Sequence, residues 1–206
     1  MSWEQANPMR DDVTIRPAAH SEAEVIGAMW TEAARWLKSQ GIDQWQYAPN
    51  MAAIIRDIEH GHAYMAVDGS EYLGTITVDD FADPEFWTPG DAPGSALYAH
   101  RIIVCPAVGG NALGAAMLDW ASEKAAKTGK EWLRVDAWKT NARLGRYYER
   151  QGFKHLRTVD LPHRRSGALY QRPAGTTTGQ GPRYLGLEAE RRDENGNPDW
   201  GRTSAL

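Results

Sequence analysis

The stretch from Leu97 to Gly114 constrains this chain most. Leu97 to Val104 is apolar and ends β-branched, the pattern of a strand buried on both faces. Pro106 stops it, and Gly109 and Gly110 make a small-residue turn. After the turn, Leu113, Ala116, Met117, Trp120 and Ala121 recur at helical spacing and give one core-facing stripe. The first N–H groups of such a helix have no internal partner, and with the helix dipole they can hold a phosphate. The turn lacks the Lys-Ser or Lys-Thr of a nucleotide-binding P-loop, and its spacing fails the dinucleotide fingerprint.

The surrounding pattern predicts a mixed α/β (α+β) domain in the order β-α-α-β-β-β-α-β-α-β-β. Val13 to Pro17 alternates as a first strand. A helix follows to Lys38, with Ser21 and Glu24 placed as a capping box and Gly41 as its stop. Asn50 caps a second helix, Met51 to His60. His62 to Val67 and Tyr72 to Val78 flank Asp68-Gly69 as a hairpin. Trp132 to Ala137 reads as a strand, and a helix capped by Asn141 runs to Gln151. Phe153 to Val159 and Ala168 to Gln171 are expected as the last strands. From Pro173 the apolar periodicity disappears, so a domain over 1–172 and a polar extension over 173–206 are expected. The extension would pack on the domain or on a neighbouring subunit, and a homodimer is one expectation.

Composition narrows the function classes. The chain has 206 residues, 42% hydrophobic, enough for one sizeable core. Its net charge of −4 argues against a nucleic-acid partner. No apolar run approaches membrane-spanning length, and Met1 to Asp12 has no apolar signal core. The single cysteine, Cys105, allows no internal disulfide and suits a reducing compartment. A cytoplasmic protein without a membrane partner is expected. His60 and His62 lack further ligands at a recognised spacing, so no metal is expected.

Two blocks carry a family resemblance. Ile102 to Gly114 resembles motif A of the GCN5-related N-acetyltransferases (GNAT), Gln/Arg-x-x-Gly-x-Gly/Ala after a strand. Gly109 stands where the family has Gln or Arg, Ala112 stands at its middle glycine, and Gly114 matches strictly. Asn141, Tyr148, Glu149, Gly152 and Phe153 sit at the spacings of the family's motif B, the more specific of the two. The resemblance covers about Val13 to Gln171. It implies a mostly antiparallel sheet with helices on both faces and an enzyme that moves an acetyl group from acetyl-CoA to an amine without a metal. A small-molecule amine is the expected acceptor. A protein or peptide acceptor, or a non-catalytic acyl-CoA-binding module, stays open.

The resemblance also implies roles. Tyr148 is expected as the general acid that protonates the departing thiolate. Ile102, Ile103 and Val104 would offer backbone groups to pantetheine, and Asn141 an amide. Gly109, Gly110, Asn111, Ala112, Leu113, Gly114 and Ala115 would form the phosphate-binding turn. Asp136 occupies the position where some relatives carry a glutamate base. His100 on the preceding strand is a second candidate base, because imidazole titrates near neutral pH. Trp36 and Trp45 are expected to wall an acceptor site. The acidic, aromatic stretch Asp79 to Trp87 would supply Asp80 and Glu85 to a cationic acceptor.

Overall fold

The computed structural model describes residues 12–186. The expected Met1–Asp12 arm, apart from Asp12, and the extension from 187 onward lie outside them. Twelve elements follow in order: β1 Asp12–Pro17, α1 Ala23–Ser39, α2 Met51–Glu59, β2 Ala63–Asp68, β3 Glu71–Asp79, β4 Ala96–Val104, α3 Leu113–Lys127, β5 Trp132–Trp138, α4 Ala142–Arg150, β6 Lys154–Thr158, β7 Ser166–Pro173 and β8 Arg183–Gly186. Among the described residues the strands form one sheet in the order β6-β7-β5-β4-β3-β2-β1-β8. Its pairs are antiparallel except β4 with β5 and β1 with β8. The β4-to-β5 connection needs a crossover, and α3 supplies it. The mixed sheet agrees with the sequence pattern, and its mostly antiparallel pairing agrees with what the family resemblance implied.

Alternation along β2 sets the layers. Tyr64 and Ala66 join α3 and α4 residues in one core, with Met117, Trp120 and Tyr148. Ala63, Met65 and Val67 face the other way and pack on Ile26, Met29 and Trp30 of α1 and Ile54 and Ile58 of α2. Phe86 and Trp87 fold onto Tyr98 and Leu169 as a third cluster. Arg157 fixes that loop by gripping both Asp91 carboxylate oxygens, at 2.8 and 2.7 Å.

Two local devices differ from the sequence pattern. The cap before α1 is set by Glu22 instead of Glu24: its carboxylate accepts from the Ala19 N–H at 2.7 Å and pairs with Arg16 at 2.6 Å. Beyond Pro173, residues Arg183–Gly186 form β8 on the β1 edge. Parallel edge pairing uses backbone groups and needs no apolar alternation, so composition alone does not reveal such a strand. Tyr184 of that strand packs against the core.

Candidate active site

The site begins where β4 and β5 part. Their pairing covers only Ala96–Trp132, Leu97–Leu133 and Tyr98–Arg134. Past Tyr98 the β4 edge facing β5 has no strand partner among the described residues, although β4 stays paired to β3 on its other side up to Val104. Unpaired strand edges offer N–H and C=O groups in the spacing of an extended amide chain. Two cavities open onto this gap, one of about 380 Å³ and one of about 830 Å³. They share Gln44, Trp45, Ile102 and Leu144 as a common wall.

The smaller cavity is lined by Ile102, Ile103, Val104, Gly109, Gly114, Asn141 and Tyr147, with Arg143 and Arg150 beside them. Gly114 opens the first turn of α3, where the leading N–H groups lack helical acceptors. A Cβ at Gly114 would fall 2.7 Å from the Tyr147 hydroxyl, so a glycine there keeps both the tyrosine and the helix start in place. Ala112 holds φ 54 as the N-cap, a left-handed conformation that explains a glycine preference at this place. The Leu113 and Ala115 side chains point into the core, and the Ala115 N–H donates to the Ala112 carbonyl. Gly110, Asn111 and Ala112 lie in the turn and do not line the cavity. The open β4 edge, the small residues and the two arginines fit the pantetheine and phosphates of a CoA thioester.

The larger cleft holds the titratable groups. Asp136 of β5 and Tyr148 of α4 both line it. Tyr148 is buried against Phe153 and Tyr170. Burial, with Tyr147 and Asp136 nearby, pushes its phenol far above the ordinary range and keeps it protonated. His100 sits between two carboxylates, with Nε2 3.3 Å from Asp79 Oδ1 and Nδ1 3.5 Å from Asp136 Oδ1. Burial alone would lower its pKa; hydrogen bonding and charge from Asp136 and Asp79 overcome that and raise it to about 10. At neutral pH both ring nitrogens therefore carry protons, and His100 has no lone pair with which to act as a base. Among the described residues no group of three or more His, Cys, Asp or Glu side chains is disposed to hold a metal ion.

The loop between α1 and α2 roofs the junction of the cavities. Asp43 Oδ1 accepts from Trp138 Nε1 at 2.9 Å and from Thr140 Oγ1 at 2.8 Å. Asn141 caps α4 through Oδ1, accepting from the Leu144 N–H at 3.0 Å, while its Nδ2 donates to Gln44 Oε1 at 2.9 Å. Both ends of the Asn141 amide are thus engaged within the protein. Trp45 holds φ 61 and stacks on Trp30 at 4.8 Å, which places its ring in both cavities.

Other expected acceptor residues lie elsewhere. Trp36 is exposed and lines the smaller cavity. Asp80 is exposed and lines neither cavity. Glu85 is also outside the lining, because His163 at 2.7 Å and Arg164 hold its carboxylate. Asp79, Asp57, Arg56, Arg101 and Tyr47 line the larger cleft, and the sequence reading did not single them out as site residues. Asp79 had a signal as the first residue of the acidic stretch Asp79 to Trp87; the structure extends β3 to it and pairs it with Tyr98, beside His100.

The Acetyltransferase (GNAT) family model matches residues 28–153, most of the described chain. The chain belongs to the GNAT acetyltransferase family. With membership comes an acyltransferase activity that draws on acetyl-CoA. An uncharacterized N-acetyltransferase of Bacillus subtilis (strain 168), YesJ, is 26% identical over 147 residues, covering 68% of this chain and 81% of that one. A GNAT-family acetyltransferase of Listeria monocytogenes 4b F2365 shares the fold at TM-score 0.66 and 24% identity, covering 77% of this chain and 93% of its own. The PaiA N-acetyltransferase of Thermoplasma acidophilum, solved with coenzyme A, shares the fold at TM-score 0.60 and 15% identity over 78% of this chain and 98% of its own.

Proposed function

We propose that this GNAT enzyme acetylates the primary amine of a small molecule by direct attack on acetyl-CoA, with Tyr148 as general acid. One observation carries the reading: the protonated Tyr148 and the carboxylate of Asp136 line the same cleft, where the β4 edge is open. The open edge and the small-residue turn hold the thioester, and β4 backbone N–H groups face the carbonyl oxygen as negative charge grows on it. Asp136 takes a proton from the attacking nitrogen, since the His100 imidazolium cannot. Tyr148 donates its proton to the sulfur as the C–S bond breaks, leaving an amide and free CoA thiol. A water-poor site strengthens that donation.

The shape of the cleft favours a small acceptor. Its volume of about 830 Å³ falls in the range of small-molecule sites. Trp30, Trp45, Tyr47, Phe81 and Trp138 wall it with rings, which suits a compact molecule better than an extended peptide. A cytoplasmic setting, where acetyl-CoA is made and consumed, agrees with this use. Calorimetric titration with acetyl-CoA, followed by thiol release across a panel of amines, tests the proposal. Micromolar binding with amine-dependent release of thiol is expected. No binding would remove the acetyltransferase reading, and turnover restricted to peptides would remove the small acceptor.

A further inference from the structure

The larger cleft is built with two poles of opposite charge. At the Tyr148 end, Asp136 and Asp79 flank the His100 imidazolium, leaving one net negative charge where an amine must arrive. The other pole depends on an irregularity in β4. Thr77 pairs with His100 and Thr75 with Ile103, so Arg101 and Ile102 together face the single residue Ile76. Two residues against one is a β-bulge, a device that re-aims a side chain. Arg101 sits in it at φ 44, a left-handed conformation that a non-glycine residue rarely holds. In a regular strand Arg101 and His100 would face opposite sides of the sheet; here both line the cleft.

Arg101 is only partly committed. Its Nη2 serves Asp57 and also Thr77 Oγ1 at 3.3 Å. Among the described residues Nη1 and Nε have no hydrogen-bond partner, and neither is sealed away from solvent. Arg56 of α2 lines the same wall, close enough that its charge lowers the Arg101 pKa after burial has done so, and it has no ion pair among the described residues. Two guanidiniums and one carboxylate, Asp57, thus line this wall, Asp57 pairs with Arg101, and the surplus positive charge borders ligand space. Asp83 and Glu85 lie outside the cleft lining and are held by Arg164.

Resting on the acetyltransferase reading above, we infer that the acceptor carries an oxyanion, a carboxylate or a phosphate, close to its amine, and that Arg101 and Arg56 hold this oxyanion while the amine turns to Asp136. A guanidinium matches either oxyanion by paired N–H donors. The aromatic wall between the poles covers the body of the molecule. A polycation is a poor substrate for such a cleft.

Matched acceptors test this. The common amino acids are assayed beside their amides, and amino-alcohol phosphates beside the parent amino alcohols, by thiol release and by calorimetric binding to the CoA-loaded enzyme. At least one anionic member should exceed its neutral partner in kcat/KM by about tenfold or more, the effect of a charge-assisted contact. Whether the carboxylate or the phosphate arm responds identifies the anion. Arg56→Gln should raise KM for that acceptor by about tenfold and so erase most of its advantage over the neutral partner. Arg56→Gln breaks no ion pair among the described residues, whereas Arg101→Gln strands Asp57 and needs its folding checked by near-ultraviolet circular dichroism. Equal or better use of the neutral partners overturns the inference. So does an enzyme that binds acetyl-CoA but neither binds nor acetylates any anionic amine. Failure to bind acetyl-CoA at all would instead sink the function on which it rests.

Discussion

His100 decides which group near Tyr148 can move a proton. Its folded pKa, about 10, lies above the usual 6.5, so protonated His100 stabilises the fold fully below pH 6.5. That contribution is lost as pH rises towards 10, where a neutral ring would leave Asp79 and Asp136 facing each other unscreened. Wild-type stability in denaturant melts should therefore fall more steeply between pH 7 and 10 than that of His100→Gln; parallel curves would show that the ring does not carry this charge. Ala112 is a second residue-scale case, since its φ of 54 is strained for an L-residue. Ala112→Gly should raise stability by about 0.5–1 kcal/mol, read as a higher midpoint at unchanged slope. The sequence made Tyr148 and Asn141 visible because motif spacing fixes their places on one short helix. Arg101 was invisible, because a bulge re-aims a side chain without leaving a composition signal. Glu85 lies outside the cleft lining, since proximity in sequence to a strand end does not say which carboxylate an arginine elsewhere, here Arg164, will claim.

Elements explain how the site stays open. The β4–β5 split exposes the backbone on which acetyl-CoA would pair, and the loop after α1 spans the split. That loop is tied across the split by the bonds of Asp43 and Gln44 to Trp138, Thr140 and Asn141. Asp43→Ala removes an acceptor from two donors and should weaken acetyl-CoA binding several-fold in calorimetry, at a stability cost of about 1 kcal/mol. Unchanged affinity would mean that the roof forms without this latch. Strand and helix order was readable as far as β7 because periodicity switches cleanly between 2 and 3.6. The split itself was not, since Leu97 to Val104 reads as one uniform apolar strand whether or not β5 follows it to the end.

The whole molecule is closed by the segment after β7. Arg172, fully buried, pairs with Asp119 of α3 at 3.2 Å and donates to the Gln151 and Leu118 carbonyls. The other Asp119 oxygen accepts from the Thr178 N–H at 2.8 Å and the Gly179 N–H at 3.0 Å. One carboxylate thus joins helix, sheet and the chain leading to β8, and Gly181 comes to rest against the Ala112 carbonyl at the start of α3. Asp119→Asn leaves a buried guanidinium without its counter-charge and should destabilise by about 3–5 kcal/mol in denaturant melts. A loss below about 1 kcal/mol would show that the pair is dispensable. Neither residue stands out in the sequence, since Asp119 lies within an apolar helix pattern and Arg172 just before the composition shift.

The most direct test of the central claim is Tyr148→Phe, which removes only the hydroxyl. With acetyl-CoA affinity followed by calorimetry and kcat by thiol release, kcat should fall by about 100-fold or more while the Kd stays within a factor of two to three, roughly the scale for losing a general acid. Turnover close to wild type would mean that the thiolate leaves without the Tyr148 proton, and the mechanism proposed for this site would be wrong.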